Sequence, residues 1–307
     1  MVLAGTLAVA AGCSSSSNAP LAVDGSSSEK PAPADGSSSS ETAAVDNCGG
    51  FTMPNPPSTG LPHPMSYAAN ADGTVTDQVT GLTWEATVDG NAYMQGDAVA
   101  HCAAKGEGWR LPTRLELVSL VDYTIAAPGP TINAVFTETP PTTFWTASLY
   151  YGDVGDYWYV GFDVGYSDYG IANQSALVRC VRSAQPTCRP SRYQGNPDGT
   201  ISDLATGLVW QQTLDSSSYT WDGALAYCAG LGAGWRVPSL TETQTIIDDG
   251  KEFPAVDATA FPDTPSDDFW TGTLEAGGSG SAWYVDFFYG ASDRDVASRQ
   301  FRVRCVR

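Results

Sequence analysis

The stretch Gly108-Trp109-Arg110-Leu111-Pro112-Thr113-Arg114-Leu115-Glu116 returns as Gly234-Trp235-Arg236-Val237-Pro238-Ser239-Leu240-Thr241-Glu242, so whatever this chain folds into is built twice. In both copies a Pro stands directly before Thr113 or Ser239, and a Glu follows three residues later. That is a capping box: the hydroxyl accepts from one orphan helix N–H while the Glu carboxylate accepts from another. A helix is predicted to start at each. The surrounding spacings agree, since Trp84 to Cys102 and Trp210 to Cys228 are both 18 residues, Cys102 to Trp109 and Cys228 to Trp235 both 7, and Trp158 to Cys180 and Trp283 to Cys305 both 22. A tandem duplication follows, with a first module over 71–183, a linker over 184–197 and a second module over 198–307.

Each module opens on an Asp-Gly-Thr run, Asp72-Gly73-Thr74-Val75-Thr76-Asp77 and Asp198-Gly199-Thr200-Ile201-Ser202-Asp203, then a Thr-Gly pair and a short apolar run ending in Trp84 or Trp210. β-formers around such a turn predict a hairpin. A helix is expected next, with Ala98, Val99, Cys102 and Ala103 on one face in the first copy and Ala224, Leu225, Cys228 and Ala229 in the second. After the capped helix come strands around Phe144-Trp145-Thr146, Trp158-Tyr159-Val160 and Val178-Arg179-Cys180-Val181-Arg182, repeated around Trp270, Trp283 and Cys305. The fold class expected is α+β, each module having two helices and a small, mostly antiparallel twisted sheet.

Six cysteines besides Cys13 allow 15 pairings, and the duplication prunes them. Each module has one Cys in its first helix and one in its last strand, which predicts Cys102–Cys180 and Cys228–Cys305. Cys48 and Cys188, each just before a module, are left to pair as a clip. Disulfides place the chain in an oxidising compartment.

Residues 1–13 are apolar and end in Ala10-Ala11-Gly12-Cys13, which resembles a bacterial lipobox and makes Cys13 the expected lipid anchor. Ser14 beside it resembles the setting of outer-membrane lipoproteins. The expected location is the cell envelope, facing outward or into the periplasm, with the lipid as the sole attachment to a membrane. Residues 14–47 are Ser, Ala, Pro, Gly and acids and read as a disordered tether. The Pro-rich segment 48–70 carries Phe51, Leu61, Met65 and Tyr67 and is expected to strap across the first module.

Formal charge is −19 with fifteen basic residues. By residue count 72–182 hold 13 acids against 5 bases and 198–307 hold 16 against 7, so neither module hides a basic face. Nucleic acid and other polyanions, which are held by clustered Lys and Arg, are excluded as partners.

The motifs above, Thr80-Gly81-Leu82-Thr83-Trp84, Gly108 through Arg114, Phe144-Trp145-Thr146 and Val178 through Arg182 with their second copies, resemble the domain family at the C-terminus of the Legionella collagen-like adhesin. The resemblance implies a C-type-lectin-like fold related to formylglycine-generating enzymes, and surface adhesion through sulfated glycans. The acidity of both modules points instead to neutral or amino-sugar glycans.

Glu116 and Glu242 are accounted for by the capping boxes, Arg110 and Arg236 by anchoring the helix starts, and Trp84, Trp109, Trp145 and Trp158 by the core. If Trp158, Val160 and Phe162 face inward, alternation turns Tyr159 and Asp163 outward, near Tyr157, Tyr166, Asp168 and Tyr169; the second copy offers Tyr284, Asp286, Tyr289 and Asp293. These ten are the candidate ligand residues, with tyrosines for pyranose faces and carboxylates for hydroxyl groups. No metal or other cofactor is expected: there is no Glu-Pro-Asn or EF-hand pattern, and the two histidines, His63 and His101, have no duplicated counterpart. Without a paired His, Ser–His–Asp and Cys–His catalysis lack their base. Cys188-Arg189-Pro190-Ser191-Arg192 matches a formylglycine modification pattern but lies in the linker, without a sulfatase metal cluster. The expectation is a non-enzymatic binding or adhesion protein. A structural envelope component that binds another protein is the rival, and an enzyme related to formylglycine-generating oxidases comes third.

Overall fold

The structure, a computed structural model, describes residues 52–183 and 192–307. Cys13, Cys48, Cys188 and the tether 14–47 lie outside the described residues.

The first repeat runs β1 (Tyr67–Ala69), β2 (Thr74–Asp77), β3 (Thr83–Glu85), α1 (Gln95–Ala103), β4 (Trp109–Arg110), α2 (Arg114–Val118), β5 (Thr143–Leu149), β6 (Asp156–Gly161), β7 (Ser167–Ile171) and β8 (Val181–Arg182). The second runs β9 (Tyr193–Gly195), β10 (Thr200–Asp203), β11 (Val209–Gln211), α3 (Trp221–Gly230), α4 (Leu240–Thr245), β12 (Asp268–Leu274), β13 (Ser281–Asp286) and β14 (Ser292–Val296). Both are α+β and mostly antiparallel. Ahead of each Asp-Gly-Thr motif, β1 and β9 pair with β2 and β10 as outer strands.

The local chemistry explains these elements. The β2–β3 turn is held by Asp77, whose carboxylate accepts from the Val79 N–H at 2.9 Å and the Thr80 hydroxyl at 2.7 Å, with Gly81 at φ +75° completing it. Both capping boxes form, and Arg110 adds a two-pronged ion pair to Glu116 at 2.7 and 2.6 Å; Arg236 does the same to Glu242 at 2.6 and 2.7 Å. Cys102 is bonded to Cys180 and Cys228 to Cys305, tying the first helix of each repeat to its last segment.

Some expectations differ. On α1 the buried stripe is Gln95, Ala98 and Cys102, while Val99 and Ala103 face solvent, because a helix held by its disulfide touches the sheet along a narrow line. Ala229 is exposed for the same reason. Trp84, Trp145 and Trp158 are fully buried, but Trp109 is only half-buried, with the Arg182 guanidinium 5.2 Å from its ring. The motif ending each repeat also has a role the sequence did not suggest. Arg179 and Arg304 are buried and, among the described residues, neither forms an ion pair with a carboxylate; Arg179 donates to the Glu85 and Ala86 carbonyls and the Thr139 hydroxyl, and Arg304 to the Gln211 and Gln212 carbonyls and the Thr264 hydroxyl. Burial lowers both guanidinium pKa values, to about 10 and about 9.

The repeats do not stand apart. Both fall in one compact unit, Ala43–Arg307, and six strands from the two form a single sheet in the order β12-β13-β14-β7-β6-β5. At its centre Ser167 pairs with Ser292, the same position of each repeat, with the Ser167 N–H donating to the Ser292 hydroxyl at 3.0 Å. An approximate two-fold axis therefore passes through the sheet. The turns beside it lie close on the core: a Cβ on Gly165 would meet Tyr123 and Val121 at 2.9 Å, and one on Gly290 would meet Ile247 at 2.4 Å.

Helices α2 and α4 pack on one face of this sheet and touch each other, over a hydrophobic core that runs through both repeats. Arg114, 1 % exposed, crosses the junction: its Nε donates to Asp249 at 2.7 Å, its Nη1 donates to Gln244, and its guanidinium lies 4.8 Å from the Trp158 ring centroid. The second repeat has Leu240 at that helix position, so the joint is directional. The strap was expected on the first module. Its Tyr67 does pack on Phe136, but its buried Asn55 side chain accepts from Ser239 at 2.8 Å and Thr241 at 3.2 Å, on the second repeat's capped helix.

Candidate functional site

Helices α1 and α3 contact the outer strands β5 and β12 on the other face of the sheet. Beside the β7–β14 seam lies an open cavity of about 470 Å³. Its walls include Asp163, Val164, Tyr166 and Asp168 from the first repeat and Asp268, Tyr284, Asp286, Ala291, Ser292, Asp293 and Arg294 from the second. It is composite, since neither repeat supplies it alone.

Strand alternation explains which side chains meet there. Tyr159 opposes Asp168, Tyr284 opposes Asp293, and Asp268 directly opposes Asp286, all on one face of the sheet. Five carboxylates thus converge, and none forms an ion pair with a basic side chain among the described residues. Arg294 does not neutralise them: it pairs with Glu275 at 2.6 Å and lies over Trp283. The Asp163 Oδ1 is buried and has no hydrogen-bond donor among the described residues. Asp168 accepts from the Tyr159 hydroxyl at 3.5 Å and Asp286 from the Phe288 N–H at 2.6 Å.

The electrostatics follow. Burial, and then the neighbouring Asp286, Asp267 and Asp295, push the Asp268 carboxyl up to about 6. Burial also raises Asp286 and Asp168. The Tyr284 phenol is pushed up to about 12 by burial and then by Asp293 and Asp268. The Asp268 and Tyr284 shifts mark crowded negative charge in a partly dry groove, which a cation or a set of hydroxyl donors would relieve.

A stability consequence can be measured. Because Asp268 binds its proton more tightly folded than unfolded, the folded state holds more protons between pH 4 and 6, and stability falls as pH rises through that window. Asp268→Asn is therefore expected to raise the thermal midpoint at pH 7 and to leave it nearly unchanged at pH 3.5. An equal effect at both pH values would show that the carboxyl is not strained by its neighbours.

Of the ten candidate ligand residues, Asp163, Tyr166, Asp168, Tyr284, Asp286 and Asp293 surround this cavity. Tyr159 flanks it, edge-on to Trp145 and Tyr166 at 6.2 and 6.0 Å, and Tyr157 packs against the α1 layer. Tyr169 is displaced from the group: it follows Asp168 in the same strand and so points to the opposite face, beside Trp158. Tyr289, on the β13–β14 turn, packs against Tyr169. Asp268 was missed, although the alternation applied to β6 would have placed it two residues before Trp270 on the groove face. Among the described residues no group of three or more His, Cys, Asp or Glu is arranged to hold a metal ion.

The Lcl C-terminal domain profile matches residues 73–182 and 199–307. The chain belongs to the Lcl C-terminal domain family. The cavity thus lies where two Lcl C-terminal domains meet in one sheet, and the matched spans end at the segments that carry Arg179 and Arg304. No curated protein matches the chain at significant similarity. Among the described residues of this Lcl C-terminal domain pair, no helix is long and apolar enough to cross a membrane.

Proposed function

We propose that this chain is a non-enzymatic adhesion protein of the cell envelope, tethered by a lipid on Cys13, whose inter-repeat groove binds neutral or amino-sugar glycans. The observation that carries the reading is the composite cavity, where five unpaired aspartates surround Tyr166 and Tyr284. Carboxylates accept from sugar hydroxyls and attract an ammonium group, while tyrosine rings offer apolar faces to a pyranose. The same field repels sulfated chains, so the ligand differs from the one the family resemblance alone implies. The C-type-lectin-like reading of each repeat agrees with a binding role, and family membership supports display outside the cytoplasm.

Calorimetric titration with chitosan, cellulose and heparin oligosaccharides tests this. Expected are one site per chain for the amino sugar, affinity that falls with salt and below about pH 6, no heparin binding, and a loss of about tenfold in Asp168→Asn, the scale of one charge-assisted hydrogen bond. If no saccharide binds while crosslinking recovers an envelope protein, the structural reading replaces it. For the anchor, mass spectrometry of the mature N-terminus should find a diacylglyceryl group on Cys13; a free thiol there would remove that part.

A further inference from the structure

In seven places among the described residues a guanidinium lies 4.7 to 5.7 Å from an aromatic ring centroid, among them Arg114 over Trp158 and Arg294 over Trp283. None of the seven falls on the run Tyr150, Tyr169, Tyr289, Phe288 and Phe253. These rings form a continuous chain across the junction: Tyr150 stacks on Tyr169 at 3.7 Å, both meet Tyr289 at 5.9 Å, and Tyr289 meets Phe288 at 4.7 Å and Phe253 at 5.6 Å. Phe253 is 49 % exposed and Phe288 36 %.

The other repeat fills the corresponding places with different residues. Tyr150 and Tyr169 stand where the second repeat has Glu275 and Arg294, which pair with each other. Phe253 stands where the first repeat has Gly129, as the matched hydrogen bonds two residues on show: Thr131 N–H to the Phe162 carbonyl at 2.8 Å, Ala255 N–H to the Phe287 carbonyl at 2.9 Å. Both positions have positive φ, +26° for Gly129 and +58° for Phe253. A large side chain is thus held in a region that favours glycine, with half its surface in water. The surroundings are negative. Burial, and then Tyr169, Asp286, Glu252 and Asp153, raise the Tyr289 phenol.

The geometry points to this aromatic run as a binding site for a trialkylammonium group, the cationic head of a choline-type ligand. Ring faces bind such cations through their quadrupoles, and the carboxylates Glu252 and Asp153 add attraction. Tyr289 lies at 62° and 61° to the stacked pair, and Phe253 at 90° to Phe288, so the surfaces face several directions. That suits a round cation better than a flat guanidinium.

The test is an NMR titration of the full chain, with ring-labelled Phe and Tyr, using choline and its neutral carbon isostere 3,3-dimethylbutanol, alongside cosedimentation with phosphatidylcholine vesicles. Choline is expected to shift these five rings and to bind at least about tenfold more tightly than the isostere. Phe253→Gly should weaken choline binding by about as much without lowering the thermal midpoint, because glycine suits that φ. Cosedimentation would assign the head group to a lipid, and choline binding without it to a soluble or glycan-borne ligand. Equal binding of choline and isostere, or unaltered choline binding in Phe253→Gly, would overturn the proposal.

Discussion

Arg114→Ala is expected to lower the free energy of unfolding by about 3–5 kcal/mol, the usual effect of removing one partner from a buried, hydrogen-bonded ion pair. Arg114 comes from the first repeat, yet its partners Asp249 and Gln244 belong to the second, and its guanidinium covers Trp158. Truncation leaves a carboxylate that is 16 % exposed without its cation and opens a gap between α2 and α4. Urea titration of both proteins gives the size of the effect. Hydrogen exchange gives its location: amides of α4 should lose protection together with those of α2. A change below about 1 kcal/mol, the level of an exposed pair, would mean that Arg114 does not hold the joint.

Removing either disulfide is the second large effect. Each bond closes a loop of nearly eighty residues, with sequence separations of 78 and 77, and in the chain-entropy treatment such a cross-link stabilises by about 4 kcal/mol. Cys102→Ala with Cys180→Ala, or the corresponding pair in the second repeat, should each lower stability by that amount. Because the repeats share a core and a sheet, loss of one bond is expected to lower the midpoint of the whole molecule, not of one half. Guanidinium titrations of the two double variants measure this. A variant with an intact repeat that unfolds at the parent midpoint would contradict it.

The fold was legible wherever the chain repeats itself. The capping boxes, the Thr-Gly hairpins, the buried tryptophans and the two disulfides all rest on local chemistry or on a pairing that duplication leaves almost no freedom to vary. The joint was not legible, because nothing in Ser167 or Ser292 announces a strand edge shared between repeats, and Arg114 reads locally as an ordinary first-turn residue. The candidate site divides along the same line. Alternation from Trp158 turned Tyr159 outward, where it lies opposite Asp168, but it also kept Tyr169 with its neighbour Asp168, which a strand cannot do. That the acids of one repeat would face those of the other required the two-fold arrangement. Asp268, opposite Asp286, becomes meaningful only then.

Everything rests on the two repeats behaving as a single cooperative body with a groove at their joint. Differential scanning calorimetry of the full chain tests that most directly. One transition is expected, with calorimetric and van't Hoff enthalpies equal. Two separable transitions, or a van't Hoff enthalpy near half the calorimetric one, would mean that the repeats unfold independently and that the composite groove is not a stable feature of the molecule.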